Sequence, residues 1–334
     1  MSTLDRIVEL GHSFQAAKTL LSAVELGVFT ALADGPLDAQ ALGGRIGIDP
    51  RGAVDFFDTL VALGLIERDR AGCYTNTAEA SLYLDQTKQT YIGGLFELLN
   101  SRHFSAWTSL TDALRGNWPG ANEDHGHYPA LYTDPAALTA FASGMTGAAR
   151  LVAPAIAAQF PWRDYQRIAD IGTAEGGLLV ALALAFPHLR GCGFDLPALK
   201  PLFEIYVRSH GLSDRLQFCA GNFFQDRLPA ADVLVMGRIL HNWDLPTKHM
   251  LLRKAYEALP AGGVLVVYER LVDEERRKAV AALTMSLHML IMTAGGFAFT
   301  ASDCQRWMRG AGFEDFRVTP LVAGYSMIVG TKAS

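Results

Sequence analysis

Four stretches of this chain carry the residue types that chemistry needs. The first is Ala169-Asp170-Ile171-Gly172-Thr173-Ala174-Glu175-Gly176-Gly177, an apolar strand pattern running into glycines. The second, Gly193-Phe194-Asp195-Leu196-Pro197, closes another short run on a carboxylate. Together they describe a strand, a glycine turn, a helix and a second strand ending in an acid. Such a unit cups a nucleotide: Gly172 and Gly176 let the backbone approach the ligand, and Asp195, next to Leu196, accepts hydrogen bonds from ribose hydroxyls. Taken alone, the glycine turn also fits any doubly wound protein, and an isolated Asp195 fits a helix cap. The third stretch, Ala220-Gly221-Asn222-Phe223-Phe224, offers Asn222 to hydrogen-bond a base and Phe223 to cover its ring. The fourth, Met236-Gly237-Arg238-Ile239-Leu240-His241-Asn242-Trp243-Asp244, lies where a further strand ends. Ligands of open α/β sheets bind outside the carboxyl ends of the strands, so His241 is placed to face two reactants and Arg238 to pair with a ligand carboxylate. A plainer role for His241 is a structural hydrogen bond at a loop entrance.

These residues need a sheet to hold them. Beyond Trp162 the apolar pattern predicts strands at 167–171, 191–194, 216–220, 233–236, 263–268, 317–320 and 326–331. Helices are expected between them at 178–186, 199–210, 247–259 and 302–311. Buried apolar strands alternating with helices imply an α/β fold, a doubly wound, mostly parallel, seven-stranded Rossmann-like sheet. The first hundred residues differ. An apolar helical band over 20–32 stops at Asp34-Gly35-Pro36, two helices follow to Ile46 and Leu63, and 65–76 reads as strand, turn, strand. That is a winged-helix pattern. The expected division is residues 1–100 as a winged-helix domain, 101–160 as a helical connector and 161–334 as the ligand-binding domain.

Composition excludes several classes. The 334 residues are 50% hydrophobic and 19% charged, with a net charge of −5, so a nucleic-acid partner is not expected. The helix placed to enter a DNA groove, Arg51 to Leu63, carries Asp55, Phe56, Phe57 and Asp58, which suits protein packing instead. The cysteines Cys73, Cys192, Cys219 and Cys304 form no C-x-x-C pair and are expected as reduced thiols. No signal peptide is evident and no uninterrupted apolar stretch reaches ~18 residues, so no membrane span is expected and the protein is placed in the cytoplasm. His125 and His127 lack a third ligand, so no metal is expected.

The ordered set of motifs, with Leu259-Pro260-Ala261-Gly262-Gly263, Gly295-Gly296 and Ala311-Gly312-Phe313, resembles the S-adenosylmethionine-dependent small-molecule O-methyltransferases of plants and bacteria over residues 10–332. An acid two residues before the first glycine also suits that donor better than a dinucleotide. The resemblance implies S-adenosyl-L-methionine as cofactor, S-adenosyl-L-homocysteine as product, a small aromatic substrate, and a homodimer through the N-terminal domain, which the 101–160 connector complements by lining the substrate pocket. It implies His241 as general base and Glu269 as the acid that orients it. Phe104, Trp107, Met145, Met289, Met292 and Thr293 become substrate-wall residues, though side chains of these types at helical spacing also serve as plain core. The chain departs from the family at Ala174, where a glycine is usual, at Asn222 and Asn242, where acids are usual, and at Phe297-Ala298-Phe299. Plant members commonly carry Lys-Glu-Arg at that last site. Ala298 removes a second acid from the histidine, so methylation at aromatic carbon stays open beside O-methylation. Outside that family, the same motifs would also suit a metabolite-sensing winged-helix regulator or a dehydrogenase.

Overall fold

The computed structural model describes residues 2–117 and 128–333, without the side chains of 128–130. The His125 and His127 pair lies outside the described residues. The chain forms two compact units, Met1–Ser105 and Ala106–Ser334, and the 101–160 segment straddles that division.

In the first unit a capping box starts the helix Thr3–Glu25: Ser2 Oγ accepts from the Asp5 N–H, and the Asp5 carboxylate accepts from the Ser2 N–H. The sequence pattern shows only the second half of this helix, because residues 2–15 are all exposed and carry no core stripe. Gly27, in the left-handed region, breaks the chain into a short turn, Val28–Ala31. Asp38 caps Ala39–Ile46, and Asp49 with Pro50 starts Pro50–Ala62. Strands β1 (Ile66–Arg68) and β2 (Tyr74–Asn76) pair antiparallel. Phe29, Leu42, Phe57, Leu60, Ile66 and Tyr74 form the core of this unit. Asp58, expected to disqualify its helix from DNA, accepts from Arg68 at 2.8 Å and from the Tyr74 hydroxyl at 2.8 Å.

The second unit is built on seven strands: β3 (Arg167–Ile171), β4 (Arg190–Asp195), β5 (Leu216–Ala220), β6 (Val233–Gly237), β7 (Val264–Arg270), β8 (Phe313–Pro320) and β9 (Tyr325–Lys332). Their order is β5-β4-β3-β6-β7-β9-β8, parallel except for β9, which runs antiparallel to both neighbours. Side chains alternate as strand geometry requires. Val233, Val235, Val264 and Val266 enter one apolar layer, while Leu234, Met236, Leu265 and Val267 enter the other. Each such fully buried side chain contributes roughly 1.5–3 kcal/mol. The strand order reverses between β3 and β6, which opens a crevice at their carboxyl ends.

The helix Pro135–Gln159 is long and apolar enough to cross a membrane, but Leu138, Ala142, Val152 and Ile156 are buried in this unit's core. One expectation is overturned. Cys192 and Cys219 are joined in a disulfide, whereas their spacing suggests reduced thiols. Residues 27 apart in sequence become neighbours because β4 and β5 pair directly, leaving the two Cα atoms 6.1 Å apart. Cys73 and Cys304 are free.

Candidate active site

The turn after β3 is shaped by backbone conformations that few residues adopt. Gly172 has φ +76°, and a Cβ there would lie 2.3 Å from the Ile239 side chain. Gly176 has φ +92° and caps the helix Gly177–Ala185. Ala174, in place of the usual glycine, also sits left-handed at φ 51°, at a backbone cost of about 1–2 kcal/mol. What holds it there is visible: its N–H donates to Asp195 Oδ2 at 2.9 Å, and the Leu196 N–H donates to Oδ1 at 2.8 Å. Asp195 is thus clamped at the end of β4 with acceptor capacity left on both oxygens. Burial raises its pKa to about 6, against the pull of those two N–H groups. Asp170, buried under the turn, rises to about 7 through burial; Thr173 donates to it at 3.0 Å and opposes that rise, while Asp195 adds to it.

Asn222 turns the chain after β5. Its Oδ1 accepts from the Phe224 N–H at 2.9 Å, so the side-chain amide nitrogen is what it can offer a ligand. Phe223 and Phe224 pack edge-on against Trp243, with centroids 5.7 and 4.8 Å away. This draws the third and fourth motifs together. Arg238, at φ 59°, begins the loop after β6; its Nη1 lies 3.3 Å from Met145 Sδ, and its carbonyl accepts from Asn242 Nδ2 at 3.0 Å.

His241 and Glu269 are both buried, on the loop after β6 and near the end of β7. His241 Nδ1 lies 2.5 Å from Glu269 Oε2, and the His241 N–H points at Oε1 from 3.4 Å. A carboxylate only accepts, so Nδ1 carries a proton, and in the neutral imidazole Nε2 is then the nitrogen with the lone pair. The Gly295-Gly296 turn braces this loop: a Cβ on Gly296 would lie 2.6 Å from the His241 carbonyl and 2.7 Å from that of Asn242. Only a residue without a side chain lets the two segments touch.

Of the expected wall, Trp107, Met289, Met292 and Thr293 meet on or beside the helix Val280–Met292. Trp107 Nε1 donates to His288 Nδ1 at 3.2 Å with the two rings nearly parallel. Met289 is buried and Met292 half-buried. Thr293 Oγ1 donates to the Met289 carbonyl and accepts from the Gly296 N–H, each at 2.8 Å, which makes it a turn-former. Met145 packs instead beside Ala174 and Leu199 near the glycine turn. Phe104 falls in the first unit, exposed, with Lys18 Nζ 5.6 Å from its ring. Thr173 lies within the glycine-turn motif without being singled out there, and His288 and Lys248 belong to no motif. Lys248 does leave a signal: it occupies the apolar stripe of its helix with Leu251, Leu252 and Ala255. Among the described residues no group of three or more His, Cys, Asp or Glu side chains is arranged to hold a metal.

The glycine turn after β3, Asp195 at the end of β4 and the buried pair of His241 after β6 and Glu269 in β7 thus lie at the carboxyl ends of neighbouring strands. Residues 107–314 match the sequence profile of the O-methyltransferase domain, and 8–86 that of the O-methyltransferase dimerisation domain; the chain belongs to the S-adenosylmethionine-dependent O-methyltransferase family. It is 39% identical to the tetracenomycin polyketide synthesis 8-O-methyl transferase TcmO of Streptomyces glaucescens, over 98% of this chain and 96% of that one. It is also 39% identical to the N,N-dimethyltransferase OxyT of Streptomyces rimosus, over 80% of this chain and 78% of that one. Human N-acetylserotonin methyltransferase in complex with S-adenosylmethionine superposes with a TM-score of 0.90 at 26% identity, covering 100% of this chain and 99% of that one.

Proposed function

We propose that this enzyme methylates a phenolic hydroxyl on an aromatic small molecule of specialised metabolism, with His241 as general base. The observation that carries the proposal is the buried His241–Glu269 pair, on the loop after β6, the strand adjacent to the one that feeds the glycine turn. The cradle fits the family's donor, because Gly172 has no room for a side chain and Asp195 presents acceptors where ribose hydroxyls would lie. Asp170, Gly172, Gly176, Asp195, Leu196, Asn222, Phe223 and Arg238 would hold it. When bound, S-adenosylmethionine supplies an electrophilic methyl group on a sulfonium.

The rest is the work of this chain's residues. Glu269 fixes the imidazole tautomer and aims Nε2 outward from the pair. An ordinary phenol titrates near ~10 and an ordinary imidazole near ~6.5, so complete proton transfer in advance costs about 5 kcal/mol. His241 therefore takes the proton as the oxygen attacks, and alignment of the reactants supplies much of the remaining acceleration. Trp107, Met289 and Met292, with His288, supply an aromatic and thioether wall suited to a flat acceptor. TcmO, an 8-O-methyl transferase of tetracenomycin polyketide synthesis, supports an oxygen acceptor. OxyT, at the same identity, supports nitrogen as the second reading. The active form we propose is a homodimer: Leu4, Ile7, Val8, Leu10 and Phe14 leave an exposed apolar face on Thr3–Glu25.

The test is incubation with isotopically labelled S-adenosylmethionine and a panel of hydroxynaphthoates and arylamines, with mass spectrometry locating the methyl group. The proposal expects an aryl methyl ether. A methylamine or a ring-carbon methyl as the main product would overturn it.

A further inference from the structure

One hydroxyl is buried at the carboxyl edge of the sheet with nothing in the fold to use it. Tyr268, the residue before Glu269, is 5% exposed and packs with Val264 and Val266 of its own strand. Its main chain is held on both sides: Gly237 of β6 and Met327 of β9 flank it in register, and its carbonyl accepts from the Arg238 N–H at 3.1 Å. The side chain leans across β6. A Cβ on Gly237 would lie 1.9 Å from its Cε1, 2.0 Å from Cζ and 2.4 Å from the hydroxyl oxygen. The end of the ring thus occupies the space that a side chain at position 237 would need. Because β6 lies between β7 and β3, this lean carries the hydroxyl toward the glycine turn, where the strand order reverses. Asp170 shares that face, since it pairs with Val235, two residues before Gly237. Tyr325 of β9 backs the ring from the other side, with centroids 6.5 Å apart.

Among the described residues the Tyr268 hydroxyl makes no hydrogen bond. A phenylalanine would fill the same volume without stripping a polar group of water, so packing alone gives no reason for the oxygen. Burial, with Asp170 adding to it, holds the phenol well above its usual pKa range, so it stays a donor.

We propose that Tyr268 is a cofactor-binding residue: its hydroxyl, presented over Gly237, donates a hydrogen bond to the methionine carboxylate of S-adenosylmethionine, beside Arg238. The inference rests on the reading that the cofactor lies in this crevice with its carboxylate at Arg238. A protonated phenol gives its hydrogen to the strongest acceptor in reach. At the end of this cofactor away from the adenine, the acceptors are the two carboxylate oxygens, whereas the ammonium and the sulfonium accept nothing. Arg238 directly follows Gly237, so the cation and the hydroxyl come from adjoining positions of paired strands.

The test is calorimetry on ligand-free wild type and Tyr268→Phe with two probes, S-adenosylhomocysteine and its decarboxylated analogue, which keeps the amine. Tyr268→Phe should weaken S-adenosylhomocysteine by about tenfold or more and leave the decarboxylated analogue within about twofold. An unchanged Kd for S-adenosylhomocysteine would overturn the proposal. An equal loss for both probes would overturn it too, because the hydroxyl would then not meet the carboxylate. The hydroxyl holds nothing in the ligand-free fold, so Tyr268→Phe should melt as the wild type does; if it does not fold, Tyr268→Met, which also lacks the oxygen, decides. Asp195→Ala separates the underlying reading from the inference. Wild-type affinity for S-adenosylhomocysteine in that variant would show that the cofactor lies elsewhere, whereas a loss there with none in Tyr268→Phe would sink the role of Tyr268 alone.

Discussion

Asp195 shows how a single side chain can be read ahead of the fold. Its place at the end of a strand, two dozen residues after a glycine turn, points to the ribose-acceptor role we propose; the structure adds the two N–H groups that clamp it and the burial that raises it to about 6. Below that value Asp195 holds a proton and loses acceptor capacity, so S-adenosylhomocysteine should bind several-fold more weakly at pH 5 than at pH 7. Calorimetry should show that dependence, and Asp195→Asn should flatten it. Stability moves the other way. Between about pH 4 and 6 the folded chain holds a proton that the unfolded chain has released, so this group lowers stability as pH rises. His241 is legible from its place after an apolar strand. Glu269 is legible only through family resemblance, since nothing within 28 positions of sequence says which acid a histidine will meet. Lys248 belongs to no motif, and its only mark is a cation in an apolar stripe.

At the scale of elements, the strands are the most legible part, because runs such as Val233-Leu234-Val235-Met236 are apolar on both faces and leave little choice. Ends and exposed elements are not. The helix Thr3–Glu25 hides its first half for want of a buried face, and β8 begins at Phe313, four residues before its apolar pattern, with a register shift between Glu314 and Arg317. The Gly295-Gly296 turn is visible as a motif, but its reason is not: it is a brace against the loop that carries His241. Gly296→Ala must push that loop by several tenths of an ångström. It should lower kcat about tenfold or more while leaving the Kd for S-adenosylhomocysteine within twofold, since the cradle residues other than Arg238 lie on other turns. Comparable losses in both would show that the brace supports the whole crevice.

For the whole molecule, the α/β class and the reversal of strand order follow from alternating elements, and the crevice follows from the reversal. Contacts between distant segments do not follow. The Cys192–Cys219 disulfide depends on β4 lying beside β5, and no spacing rule announces it. The first unit's role as a partner surface is written in residues that its own core does not use. Leu10 is 75% exposed and Phe14 57%. The double substitution Leu10→Glu with Phe14→Glu should convert a dimer to a monomer in light scattering, whereas an unchanged mass would place the partner surface elsewhere. The proposed chemistry rests on one proton acceptor, which single-turnover methyl transfer tests most directly, with labelled S-adenosylmethionine and a hydroxynaphthoate for which the wild-type protein shows turnover. His241→Ala should lose at least about 100-fold in rate with the affinity for S-adenosylhomocysteine retained. A rate within a few-fold of wild type would contradict the assignment of His241 as the base.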